Sequence, residues 1–226
     1  MHDDSKRLAA SKAVDFIGDA RIVGLGTGTT TRFAIERMAE LIHEGAEFCG
    51  VPTSNATADL ALALGIPLRD LTDVESIDIT IDGADEIDPS FNMIKGGGGA
   101  LTREKLVALA SKQRVIIADA SKIVPVLGKT HPLPVEVLPF AWNRSSWLIE
   151  QLGCRAKRRE SGGQPFITDN GNYIVDCQFE SIPDPAGTET RIKLIHGVVE
   201  CGLFIDIADT VIIGHEDTVE VRVRKL

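Results

Sequence analysis

Between Arg21 and Lys112 the chain repeats one order three times: a short apolar run, a turn, and an amphipathic stretch of helical period. Residues 21–25 read as a strand, and 32–43 as a helix with Phe33, Ile35, Met38, Leu41 and Ile42 on one face. Residues 48–51, a Thr-Ser-Asn turn and a helix over 56–64 stopped by Gly65 repeat the order. A strand over 77–82 and a helix over 100–112 complete the third unit, and residues 114–118 add another strand. A first helix is expected over 5–17. Strands that alternate with helices bury their apolar faces best as a parallel sheet covered by helices.

The pattern changes after His131. Residues 135–138 suit a strand, 142–152 a helix and 154–157 a strand. Residues 166–168 and 173–179 flank Asp169-Asn170-Gly171-Asn172, and Asn-Gly is a strong hairpin signal. A helix from Pro185 through Leu194 and a strand over 198–204 follow. Together these give β-α-β-β-α-β, the order of a ferredoxin-like module. Strands at 211–213 and 219–223 are expected to return to the first sheet. The expected fold is α/β: a Rossmann-like, mostly parallel sheet domain over 1–130 plus 206–226, with a smaller inserted α+β (ferredoxin-like) domain over 131–205.

A formal net charge of -9 disfavours nonspecific binding to nucleic acid or an anionic membrane. No apolar run approaches the ~20 residues of a membrane span, and the opening residues lack the apolar core of a secretory signal. Cys49, Cys154, Cys177 and Cys201 lie far apart and read as buried free thiols, which points to a cytoplasmic address. The five histidines show no metal-ligand spacing, so no metal is expected.

Two stretches carry chemistry. In Val23-Gly24-Leu25-Gly26-Thr27-Gly28-Thr29-Thr30-Thr31, glycines allow close backbone approach, and amides at the following helix start favour an anion. A dinucleotide fingerprint fails, because Thr29 or Thr31 falls where the third glycine belongs. No lysine completes a Walker pattern, so a small phosphorylated ligand fits better. The second stretch, from Asp78 to Lys105, sets Asp82 and Asp85 ahead of Lys95, the glycines Gly96 to Gly99 and a helix carrying Glu104. Read plainly, Glu104 is an acid near a helix N-terminus, paired with Arg103 or Lys105. Read with its neighbours, it is a base that moves a proton between adjacent carbons while an electrophile holds the enediolate oxygen. Rival classes are a sugar-phosphate sensor, which would not need Glu104 and Lys95, and an acyl or CoA transferase, which would use Glu104 as nucleophile.

The motifs Asp82-Gly83-Ala84-Asp85-Glu86 and Lys95-Gly96-Gly97-Gly98, with Leu101-Thr102-Arg103-Glu104-Lys105, resemble type A ribose-5-phosphate isomerase. So do Ala118-Asp119-Ala120-Ser121-Lys122, Pro132 to Val137 and Thr168 to Asn172, so the resemblance spans nearly the whole chain. It implies interconversion of D-ribose 5-phosphate and D-ribulose 5-phosphate without metal or cofactor, in a homodimer or larger homo-oligomer. It implies Glu104 as proton acceptor, Asp82 and Asp85 on sugar hydroxyls and ring opening, and Lys95 on the enediolate oxygen. Thr27, Gly28, Thr29, Thr30, Gly83, Ala84, Gly96, Gly97, Gly98 and Lys122 match binding positions, and Lys6 is a weaker candidate for the phosphate. Thr29 stands where serine is frequent and Gly99 where alanine is common; the latter is expected to loosen a helix start by at most ~1 kcal/mol. His131 and residues 157–164 match no pattern.

Overall fold

The computed structural model describes residues 2–224. The first half runs α1 (His2–Val14), β1 (Ile22–Leu25), α2 (Thr29–His43), β2 (Cys49–Pro52), α3 (Asn55–Ala63) and β3 (Ile77–Gly83). Then come β4 (Glu86–Ile87), β5 (Met93–Ile94), α4 (Leu101–Leu109) and β6 (Ser111–Asp119). The second half holds β7 (Leu133–Val137), α5 (Trp142–Glu150), β8 (Arg155–Arg158), β9 (Glu160–Ser161), β10 (Gln164–Pro165) and β11 (Tyr173–Gln178). It closes with α6 (Pro185–Lys193), β12 (Val198–Cys201), β13 (Leu203–Phe204), β14 (Thr210–Gly214) and β15 (Val219–Val223). The chain packs as two compact units, one of Met1–Ala84, Arg103–Lys122 and Ile207–Leu226, the other of Asp85–Thr102 and Ile123–Asp206.

The first unit is built on a six-stranded sheet in the order β15-β14-β6-β3-β1-β2. All its pairings are parallel except β14 with β15. β1 lies between β2 and β3, so the order reverses there, and such a switch point opens a crevice at the carboxyl ends of the strands. Ala9, Ala13, Ile35 and Met38 of α1 and α2 bury against Val23, Leu25, Ile79 and Ile81. Each large aliphatic side chain so buried contributes roughly 1.5–3 kcal/mol. α1 approaches β14 closely: a Cβ added at Gly214 would lie 1.9 Å from the Ser5 carbonyl oxygen.

Three boundaries differ from the sequence reading. α1 ends at Val14; the Phe16 and Ile17 amides turn back to Ala13 O and Val14 O at 3.1 Å each, ahead of Gly18 at φ 48. α2 begins at Thr29, so Thr29 to Thr31 form its first turn. α4 stops at Leu109 and β6 starts at Ser111, whose hydroxyl lies 2.6 Å from both Val107 O and Thr80 Oγ1.

The second unit holds a four-stranded sheet, β12-β7-β11-β8, antiparallel at every pairing. With α5 and α6 between its strands this is the ferredoxin-like order. Val135, Val137, Val175, Ile149 and Ile192 share its core. A three-stranded sheet, β13-β5-β4, lies in the same unit. Residues 85–102 and 123–130, expected with the main sheet, pack here. The fully buried Glu86 explains part of that, accepting the amides of Gly128 (2.6 Å), Thr130 (2.6 Å) and His131 (2.8 Å). Those amides, with the Thr130 hydroxyl, outweigh burial and hold its carboxyl below the usual range.

The Asn-Gly turn forms, with the Thr168 amide donating to Asn172 O at 2.9 Å, but 166–168 is no strand: a single bridge joins Ile167 and Tyr173. The fully buried Glu136 diverts this segment, taking Thr168 Oγ1 (2.9 Å), Asn172 Nδ2 (2.8 Å) and Thr102 Oγ1 (2.5 Å). The hairpin that does form is β9–β10, turning at Gly162 and Gly163 with φ 59 and 78. The expected strand over 198–204 breaks at Gly202 into β12 and β13. The four cysteines are free thiols, but only Cys177 and Cys201 are buried; Cys49 and Cys154 stand at strand margins, half-buried. No helix among the described residues is long and apolar enough to cross a membrane.

Candidate active site

At the switch point of the first unit, β1 delivers Gly26 and Thr27 while β3 delivers Asp82. Asp82 is buried, and its Oδ1 accepts the amides of Thr27 (3.2 Å) and Gly83 (2.7 Å). A Cβ at Gly26 would lie 2.1 Å from that oxygen, so Gly26 is there to let the carboxylate in. The Thr27 hydroxyl faces inward, 2.7 Å from Thr53 Oγ1, 2.8 Å from Ser54 Oγ and 3.1 Å from Thr57 Oγ1. Thr31 is buried, with its hydroxyl on Thr27 O. Thr27 and Thr31 therefore build the turn itself. Gly28, at φ 127 and without a side chain to cap α2, and Thr29 are exposed, and Thr30 is half-exposed.

Two lysines stand by this loop's side of the unit. Lys6 Nζ reaches Thr29 Oγ1 at 3.4 Å. Lys122 ends the short turn after β6, beside Asp119. Burial pushes the Asp119 carboxyl up, but the Ser121 hydroxyl and amide, then Lys122 and Lys6, hold it below its ordinary range. Glu104 and Lys105 are buried in the first turns of α4. Arg103 Nη1 donates to Asn55 Oδ1 at 3.0 Å, which ties α4 to the start of α3.

The second unit carries Asp85, Lys95 and the glycine run. Lys95 is buried, its amide donates to Gly202 O at 2.9 Å, and its Nζ lies 5.3 Å from the Phe204 ring centroid. Asp85 Oδ2 accepts the Gly97 amide at 2.7 Å. Gly97 and Gly98 are exposed, whereas Gly96 and Gly99 are buried at φ 102 and 87. Arg159 Nη1 donates to Gly96 O (3.0 Å) and Gly97 O (2.9 Å). Arg159 lies in the stretch where the sequence offered no pattern, and Asp119 was a motif residue without a role; neither carries a local signal of what it touches. Among the described residues, no group of three or more His, Cys, Asp or Glu is placed to hold a metal ion.

The family model for ribose 5-phosphate isomerase A (phosphoriboisomerase A) matches residues 49–218. The chain belongs to this family. Ribose-5-phosphate isomerase A 1 of Oceanobacillus iheyensis is 48% identical over 97% of this chain and 98% of its own length. Ribose-5-phosphate isomerase A of Sphingopyxis alaskensis is 50% identical over 97% and 96%. Among solved structures, ribose 5-phosphate isomerase from Plasmodium falciparum matches with TM-score 0.95 at 43% identity, covering 99% of this chain and 100% of that one. A D-ribose-5-phosphate isomerase in complex with phospho-erythronic acid gives 0.96 at 39% identity over 99% and 100%.

Proposed function

We propose that Glu104 carries the proton when this chain interconverts D-ribose 5-phosphate and D-ribulose 5-phosphate, the reaction that membership of the family assigns to it. Glu104 takes a proton from one of the adjacent carbons C2 and C1 and returns it to the other. Lys95 stabilises the negative oxygen of the enediolate between those steps. Asp82 and Asp85 hold sugar hydroxyls and assist ring opening. The phosphate takes the amides of Gly28, Thr29 and Thr30 at the start of α2, with Lys122 and Lys6 supplying charge. Thr27, Gly83, Ala84, Gly96, Gly97 and Gly98 shape the binding loops. No metal or cofactor enters this scheme.

The observation that carries the reading is the burial of Glu104: a carboxylate enclosed in the first turns of a helix that Arg103 links to Asn55. Burial of that kind suits a base that must take up a proton and give it back. Purified protein is expected to turn over ribose 5-phosphate with chelator present. Glu104→Gln is expected to keep substrate binding and to lose kcat by ~10²–10⁴-fold. Turnover abolished by the chelator, or an unchanged kcat in the variant, rejects the scheme. We further take the protein to be a cytoplasmic homodimer or larger homo-oligomer, with 131–205 as a small α+β domain in addition to the main one.

A further inference from the structure

The guanidinium of Arg159 is held from below and works upward. Its Nε and Nη2 donate to the two carboxylate oxygens of Asp176 at 2.9 and 2.5 Å, a bidentate pair. Its Nη1 is thereby aimed at Gly96 O and Gly97 O, 3.0 and 2.9 Å away. An ion pair that only joined neighbouring strands would end at Asp176; this one spends a third nitrogen on a glycine loop more than sixty residues earlier.

The Gly96–Gly97 peptide is a rigid trans plane, with its C=O and N–H on opposite edges. Arg159 grips the oxygen edge and Asp85 Oδ2 grips the N–H edge at 2.7 Å. A cation on the carbonyl and an anion on the amide polarise one peptide in the same sense, so each bond strengthens the other. Glycine has no Cβ to hold its φ and ψ, and an unsupported run would sample many conformations. Phe166, whose ring lies 5.7 Å from the Arg159 guanidinium, fills the space over Gly99.

We propose that Arg159, oriented by Asp176, is a positioning residue that fixes the Gly96–Gly97 peptide plane and through it the placement of Asp85 and Lys95. The inference rests on the catalytic reading of those two residues. Lysine cannot replace the fork, because a single ammonium does not bind Asp176 bidentately while reaching two carbonyls.

The test is steady-state kinetics with ribose 5-phosphate on Arg159→Ala, Arg159→Lys and Asp176→Asn, with Lys95→Ala and Asp85→Asn alongside. Misplacing a catalytic group by an ångström costs up to about 100-fold, so Arg159→Ala is expected to lose kcat by roughly 10- to 100-fold with KM within about threefold. Arg159→Lys and Asp176→Asn are expected to show smaller losses of the same kind. Added guanidinium ion, at concentrations that leave the melting curve of the variant unmoved, is expected to restore part of the kcat of Arg159→Ala. A kcat within about twofold of wild type in folded Arg159→Ala overturns the proposal, as does a loss that guanidinium leaves untouched. If the alanine variant does not fold, Arg159→Lys decides, and wild-type kcat there overturns it. If Lys95→Ala and Asp85→Asn keep full kcat, the catalytic reading itself has failed; if they lose it while Arg159→Ala does not, only the positioning role has.

Discussion

Gly99 shows how a single position changes meaning once its neighbours are visible. As a sequence letter it was a slightly weak helix start. In the fold it precedes α4 at φ 87, and a Cβ there would lie 2.4 Å from Cζ of Phe166. The left-handed backbone costs an alanine roughly 1–2 kcal/mol, and overpacking against the ring adds about 1–3 kcal/mol. Gly99→Ala is therefore expected to lower the melting temperature clearly, and Phe166→Val in the same chain to recover the overpacking share. A melting curve for Gly99→Ala that overlays the wild type refutes this. Asp82, Lys95 and Glu104 were singled out by charge set beside glycine turns, and the fold adds that all three are buried. The inward turn of Thr27 was not legible, since no local pattern says that its hydroxyl would meet those of Thr53, Ser54 and Thr57.

Among the elements, the start of β1 is pinned to β3 by one acid. Asp78 Oδ2 accepts the amides of Arg21 (2.9 Å) and Ile22 (3.0 Å), and its Oδ1 takes Lys112 Nζ at 2.8 Å. The Lys112 contact, then the two amides, hold its carboxyl down from 3.8 to about 2. A carboxyl group whose pKa is lower in the folded chain stabilises the fold above the unfolded pKa and loses that contribution as pH falls through the folded one. Here the loss runs from 3.8 down to about 2. Asp78→Asn is expected to melt earlier than wild type near neutral pH, with the gap narrowing across that acid window; a gap that stays constant rejects the linkage. The strands and helices themselves were read nearly to the residue where periodicity was strong, as in β3 and the end of α2. They were missed where a buried polar side chain overrode the pattern: Ser111 ends α4 early, and Glu136 draws residues 168–172 away from a ladder.

For the molecule entire, a formal charge of -9 means that any anion must be held by local positive groups and backbone amides, the part proposed for the α2 amides and Lys122, and binding of bulk nucleic acid is not expected. A homo-oligomer is the proposed state. Light scattering on the eluting protein is expected to give at least twice the chain mass of 24.4 kDa, and a peak at the single-chain mass refutes it. The mostly parallel first sheet, the β-α-β-β-α-β succession and the return of the last two strands to the first sheet followed from sequence, because strands and helices alternate with distinct periods. The division into units did not, because residues 85–102 are tied by contacts such as Glu86 with Gly128 and Lys95 with Gly202, which join residues distant in the chain.

The close seat of Ser5 against Gly214 sets an order of events during synthesis. α1 is made well before β14, yet Gly214 of that strand is part of its resting place. β14 also fills the flank of β6, whose backbone groups on that side stay open until Thr210–Gly214 arrives. Until β14 is made, α1 lacks that seat and β6 has a bare parallel edge, a template for unwanted pairing. Covering that edge during synthesis is therefore a condition on yield that the finished contacts alone do not express.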